Sequence, residues 1–375
     1  MKILLAAGIY PPDIGGPARY AEMIATRLPG IGIEVVVVPY REVRTVPKIF
    51  RHLAYTWRLW RVSRGVSLVY ALDPMSVGVP AAIVAFLRGL PLVARLGGDY
   101  AWEQGVQRFG VSVTLDEYTK DPRKVRLPVR ILAGIQRQVV RRAKAAVVPS
   151  QYLKGIVATW GIEPERLHVI YSAHTVTPLT DSRNDLRAQL GFADQTIVSI
   201  SRLTPWKGMS ALLEMMAKRK ARGEATKLVI GGDGPERSHL EAKIKTLGLE
   251  SSVTMVGALS FNDVFRYVSA ADVFVLNTAY EGLSHHLIEA LALGTPVVTT
   301  PVGGNPELIT DGVEGLMVGV DDVLAIDNAI EKILTDSVLR DQLVMAGKVR
   351  AAQFAAADAI LPIKQLLERI ISTKA

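Results

Sequence analysis

The chain has 375 residues, 49% hydrophobic and 21% charged, and no cysteine; this excludes a disordered segment, a disulfide scaffold and any thiolate metal site, and leaves room for two domains with separate cores. The missing cysteines agree with a reducing cytoplasm. The formal net charge of +8 is unevenly spread, with 24 Lys and Arg against 12 Asp and Glu in residues 1–175 and 20 against 24 in residues 176–375, so the N-terminal half is expected to meet something anionic.

In chain order, the opening apolar run of MKILLAAGIYPPD is too short for a secretory signal and reads as a first buried strand. Further strands are expected at 34–39, 67–72, 92–96, 145–149 and 167–171. A second series follows at 196–201, 227–231, 253–256, 273–277, 296–300 and 315–318. Most are continuous Val/Ile/Leu/Ala runs without polar alternation, the pattern of strands buried on both faces of a parallel sheet. Helical segments between them imply right-handed crossovers and two doubly wound α/β domains. The stretch VGVPAAIVAFLRGLPLVARL is broken by Pro80, Arg88, Gly89 and Pro91, short of the roughly 20 uninterrupted apolar residues of a membrane span. It reads as a core helix and a strand. A domain boundary is expected in 172–191, around the Thr177–Pro178 break, and a last helix at about 359–371.

In open α/β sheets ligands sit where strands lead into helices, and five motifs fall in such loops. GIYPPDIGGPARYAEMIATRL follows the first strand; Gly15 and Gly16 allow close backbone approach and Pro17 suits a first helical turn, which serves either a ligand or the turn itself. VARLGGDYAWEQ presents Asp99 behind two glycines, expected to face a cleft between the domains or to cap a turn. SRLTPWKG holds Arg202 and Lys207 five positions apart, stiffened by Pro205 and Trp206, and two such cations can neutralise a diphosphate without a metal. No Asp-x-Asp occurs in the chain. VIGGDGPER has Gly231, Gly232 and Gly234 for a tight turn, with VGALS and its Leu259 after the next strand. EGLSHHLIEALALGTPVVTT brackets a loop and a helix start with Glu281 and Glu289, and the amides at that start would point at an anion. His285 and His286 are adjacent and make a poor metal pair. The following PVGGNPELI, with Gly303, Gly304 and Glu307, reads as structural.

One further segment is a surface. Residues 41–65 carry Arg41, Arg44, Lys48, Arg51, Arg58, Arg61 and Arg64 among Phe50, Tyr55, Trp57 and Trp60, and residues 123–144 add eight cations. Such spacing occurs in helices lying on anionic membranes and in solvated faces over core aromatics. No nucleic-acid-binding module is recognisable, so no nucleic-acid partner is expected.

SRLTPWKG and EGLSHHLIEALALGTPVV resemble the diphosphate-binding Arg/Lys pair and the E-x7-E signature of retaining glycosyltransferases of family 4, and the similarity extends over essentially the whole chain. The resemblance implies the GT-B fold: two Rossmann-like doubly wound domains facing a central cleft. Residues 1–175 would bind the acceptor, with a C-terminal helix in 355–375 packing back on them, and residues 176–354 would bind a nucleotide sugar. It further implies a hexosyltransferase moving a sugar with retention, without metal or cofactor, from a nucleotide diphosphate sugar to a hydroxyl acceptor, a glycan or lipid-linked precursor. Glu281 would bond the sugar hydroxyls and Glu289 the ribose. The amides of Ser284, His285, His286 and Leu287 would hold the phosphates, with Arg202 and Lys207, and Gly282 would belong to the same donor-binding set. Gly232 and Leu259 would offer backbone contacts near the base, and Gly15 and Gly16 would lie near the donor. Asp99 would orient the acceptor, bond the 6-hydroxyl or assist proton removal. The family often has Leu-Pro where His285 and His286 stand, so these either tune sugar choice or are tolerated. The catalytic set is then Asp99, Arg202, Lys207 and Glu281, in a cytoplasmic protein in peripheral contact with the inner membrane face. Alternatives on the same fold are a nucleotide-sugar epimerase and a non-catalytic sugar-nucleotide-binding subunit.

Overall fold

The computed structural model describes residues 1–13, 15–171, 176, 179–192, 195–356 and 359–372. They form two compact units, Met1–Ala173 with Asp358–Ala375, and His174–Ala357. The Thr177–Pro178 break lies outside the described residues, as does Ile14 of the first glycine loop.

The first unit holds β1 (Lys2–Ala7), β2 (Glu34–Pro39), β3 (Leu68–Ala71), β4 (Leu92–Arg95), β5 (Ala145–Val148) and β6 (Leu167–Val169), in the order β2-β1-β3-β4-β5-β6. All neighbours are parallel. Helices cover both faces, which is why the strands carry no polar alternation. On one face the helices Gly16–Arg27 and Ile360–Ser372 set Ile24, Ile363 and Leu367 against Ile3 and Leu5. On the other, Arg51–Val62, Gly78–Arg88 and Leu127–Arg142 set Tyr55, Val84 and Val139 against Leu4 and Ala6. The last helix of the chain is thus part of the first unit's core.

The second unit holds β7 (Thr196–Ile200), β8 (Lys227–Gly231), β9 (Val253–Gly257), β10 (Val273–Leu276), β11 (Val297–Thr299) and β12 (Leu316–Met317), in the order β12-β11-β10-β7-β8-β9, again all parallel. Each segment expected as a strand contains one, with ends trimmed by at most two residues and β9 one residue longer than expected. The chain moves outward in one direction from β7 and in the other from β10. Crossover helices leaving these two adjacent strands therefore diverge, and a crevice opens between their carboxyl ends, where open sheets bind ligands.

Residues 41–65 do not form one helix. Short 3-10 turns at Tyr40–Val43 and Lys48–Phe50 precede the helix Arg51–Val62. Pro47, extended at φ −53° and ψ 141°, separates the two turns, because it has no N–H to carry a helical ladder through. Among the described residues no helix is long and apolar enough to cross a membrane.

Candidate functional site

The loops after β7 and β10 are stitched together by groups that alternate backbone and side chain. Ala279 N–H donates to the Trp206 carbonyl at 2.7 Å and Thr278 Oγ1 to the same oxygen at 3.1 Å. The Trp206 and Tyr280 rings meet edge to face with centroids 6.3 Å apart. Asn277, which follows β10 directly and is 1% exposed, donates from Nδ2 to the Gly208 carbonyl at 2.9 Å and to Asp321 Oδ1 at 2.7 Å, while Asp321 N–H donates to Asn277 Oδ1 at 3.0 Å. Sequence reasoning passed over Asn277. Its signal was a polar residue closing the apolar run VFVL at a strand tip, where a buried amide must find partners.

This stitching brings the expected charges together. Lys207 Nζ donates to Glu281 Oε2, and both side chains are largely shielded, at 11% and 19% exposure. Arg202, two residues beyond the end of β7, has an exposed side chain without an ion pair among the described residues. A paired Lys–Glu with an exposed guanidinium on the same loop as the lysine carries positive charge in surplus. It suits a dianionic group whose attached hydroxyls the carboxylate can accept from.

Glycines hold these loops at backbone distance. Gly232 has φ 122°, and a Cβ there would overlap the Ser201 carbonyl. The turn it starts is tied to the Arg202 loop, since Leu203 N–H donates to Asp233 O at 3.0 Å and Glu236 N–H to Leu203 O at 3.1 Å. Leu259 lies against Gly231, so closely that a Cβ on that glycine would meet Leu259 Cδ1. Gly303, at φ 58°, and Gly304 pack on the carbonyls of Glu281 and Gly282, and Gly304 N–H donates to Glu281 O at 3.0 Å. The PVGGN loop is structural in a specific sense: it is the floor under Glu281.

The helix His285–Leu293 begins at this floor, with Ser284 as N-cap. Ser284 Oγ accepts from Leu287 N–H at 3.2 Å, so one of the four amides expected to meet an anion is already satisfied within the helix. His286 Nδ1 lies 2.6 Å from Glu289 Oε2, and Glu289 is 2% exposed. An ionised Glu289 requires the proton on Nδ1, which makes His286 the donor that orients this buried carboxylate. Among the described residues no group of three His, Cys, Asp or Glu side chains could hold a metal ion.

The other expected site residues belong to the first unit. Gly15 caps the helix Gly16–Arg27 at φ 141°, with Pro17 in the first turn. Of the two expectations for Asp99, the structure shows the turn-capping one. Asp99 is 1% exposed and caps the helix Tyr100–Phe109, its Oδ1 accepting from Trp102 N–H at 3.0 Å and from Gln136 Nε2 at 2.8 Å. Burial pushes its carboxyl pKa up, against the pull of those two bonds.

Comparison with known proteins accords with this arrangement. The family model described as "Glycosyl transferase 4-like domain" matches residues 15–173, and "Glycosyl transferases group 1" matches residues 182–350. The chain belongs to the group 1 glycosyltransferases. Among relatives of this glycosyltransferase is alpha-D-kanosaminyltransferase of Streptomyces kanamyceticus, 28% identical over 70% of this chain and 66% of that one. Another is the N-acetylgalactosamine-N,N'-diacetylbacillosaminyl-diphospho-undecaprenol 4-alpha-N-acetylgalactosaminyltransferase of Campylobacter jejuni, 30% identical over 54% of this chain and 53% of that one. The alignments thus span from about half to just under two thirds of those relatives. The crystal structure of Anabaena HepE with UDP and glucose superposes with a TM-score of 0.77 over 99% of both chains at 22% identity. The two parallel α/β units are the GT-B fold.

Proposed function

We propose that this glycosyltransferase moves a hexosyl group, with retention and without metal, from a UDP-type nucleotide sugar to a hydroxyl of a lipid-linked or cell-surface glycan precursor, working in the cytoplasm at the inner membrane face. The observation that carries the reading is the pairing of Lys207 with Glu281 between the loops that follow β7 and β10, the second of which leads into a helix N-terminus. In the reaction the bond from the anomeric carbon to the diphosphate breaks, and the acceptor oxygen bonds that carbon on the same face. The acceptor's proton passes to a phosphate oxygen of the leaving group. Arg202, Lys207 and the amides at the start of His285–Leu293 stabilise the charge that develops on the diphosphate. Glu281 holds the sugar hydroxyls and Glu289 the ribose, with His286 keeping Glu289 in place. Gly282, Gly232 and Leu259 keep backbone close to the nucleotide.

HepE, whose structure contains UDP and glucose, and the Campylobacter relative, named for a diphospho-undecaprenol substrate, support the choice of donor and acceptor classes. The test is a thermal-shift series with UDP, GDP, ADP and their sugars in the presence of a chelator, followed by anomeric analysis of product. A ligand bound only by the folded state raises the melting temperature by mass action. A shift with UDP-sugars that survives chelation, and is lost in Lys207→Ala, is expected. No shift with any nucleotide sugar would overturn the reading.

A further inference from the structure

We propose that three neighbouring helices of the first unit, Arg51–Val62, Gly78–Arg88 and Leu127–Arg142, together form a docking face for an anionic lipid bilayer. This deepens the peripheral-membrane part of the function above and depends on it for no step of the chemistry. Arg51–Val62 packs against Gly78–Arg88, which packs against Leu127–Arg142. All three bury their inner faces on the same side of the sheet.

Their outer faces are apolar where outer helix faces are ordinarily polar. Leu53 and Trp57, one turn apart on the first helix, are 69% and 59% exposed. The middle helix, which by sequence belongs to the core, ends in Phe86 at 83% and Leu87 at 60% exposure. Leu127, Ile131 and Ile135 repeat every fourth position on the third helix at 64%, 53% and 40%. Ten of the nineteen large hydrophobic side chains exposed among the described residues lie on these helices and the 3-10 turn Lys48–Phe50. Patches of this kind mark interaction sites.

Charge selects the occupant. Residues 51–64, 78–90 and 123–144 contain no Asp or Glu, while 123–144 alone carry eight Lys and Arg. Some cations of the first segment are already committed: Arg41 to the Pro11 carbonyl, Arg44 to Asp13 at 2.8 Å and Arg58 to Glu42 at 2.8 Å. Arg61, stacked 4.7 Å from the centre of the Trp57 ring, and Arg64 have no acidic partner among the described residues. Apolar tips ringed by cations, with carboxylates excluded, match the headgroup and acyl boundary of an anionic leaflet.

Sedimentation with phosphatidylcholine vesicles, with and without phosphatidylglycerol, tests the face. The wild-type chain is expected to pellet with the anionic vesicles, and Phe86→Asp/Leu87→Asp to lower the bound fraction about tenfold. Arg61→Glu/Arg64→Glu should weaken binding and flatten its salt dependence, whereas Met345→Asp, an exposed apolar site in the second unit, should leave binding unchanged. Melting temperature and the donor-induced shift, read in parallel, should match wild type in every variant, so loss of the face and loss of the donor site are separable. Wild-type binding by Phe86→Asp/Leu87→Asp, or no binding of the parent to anionic vesicles, would overturn the proposal. So would a concentration-dependent dimer, or retention on nucleic acid, that these substitutions abolish without any vesicle binding.

Discussion

Lys207 and Glu281, 74 positions apart in the chain, form an ion pair across the tips of two adjacent strands, β7 and β10. Neither loop could hold its charge so far from water alone. The pair joins the charge that would meet a diphosphate to the carboxylate that would meet its sugar.

Removing one partner strands the other. Lys207→Ala is expected to lower kcat/KM by about 10²-fold, the usual scale for losing a group that stabilises developing charge. The partial exposure of both side chains limits the stability cost to about 1–2 kcal/mol. The double variant Lys207→Met/Glu281→Gln should recover most of that stability in denaturant titrations and none of the activity. Recovery of turnover would show that the pair serves the fold alone.

Gly303 tests the floor beneath Glu281. Its φ of 58° and its contact with the Glu281 carbonyl leave no place for a Cβ. Gly303→Ala should cost about 1–3 kcal/mol, the range for a strained non-glycine backbone, and weaken the donor-induced thermal shift. Gly312, also at positive φ, has nothing within 4 Å of its Cβ direction, so Gly312→Ala should destabilise through backbone strain without altering donor binding.

His286 acts through Glu289. Loss of the 2.6 Å contact in His286→Ala should raise donor KM several-fold with a smaller change in kcat, the pattern of a loosened binding group. His286→Asn, whose amide N–H can reach where Nδ1–H does, should restore KM. Equal defects in both variants would point to the ring itself.

Asp99 separates capping from chemistry. Asp99→Ala should destabilise by about 1–2 kcal/mol through loss of the N-cap, whereas Asn keeps an oxygen for Trp102 N–H and should cost little. Because burial raises its pKa in the fold, the stability Asp99 contributes is full when protonated and falls as pH rises from about 3.9 through the raised value. Asp99→Asn should therefore gain on wild type over that window, measured by melting temperature against pH. Turnover abolished in Asp99→Asn at an unchanged melting temperature would instead assign the carboxylate to the reaction.

Much of this was legible in the sequence. Every segment expected as a strand contains one, because continuous Val/Ile/Leu runs between helical periods have few other folded states. Arg202, Lys207, Glu281 and Glu289 stood out because charge beside glycine at a strand tip is rare without a task. Local pattern could not say which tips are neighbours: β7 lies beside β10 through strand order, and that alone brings Lys207 to Glu281. Nor could it aim side chains. Asp99 turns in to cap a helix, Asn277 ties three loops, and Phe86 points out of a helix that reads as core. Composition along the chain specified which elements exist and where charge sits between them, since both depend on near neighbours. Pairing, burial and direction depend on residues tens of positions away, and only the packed tertiary structure decided them.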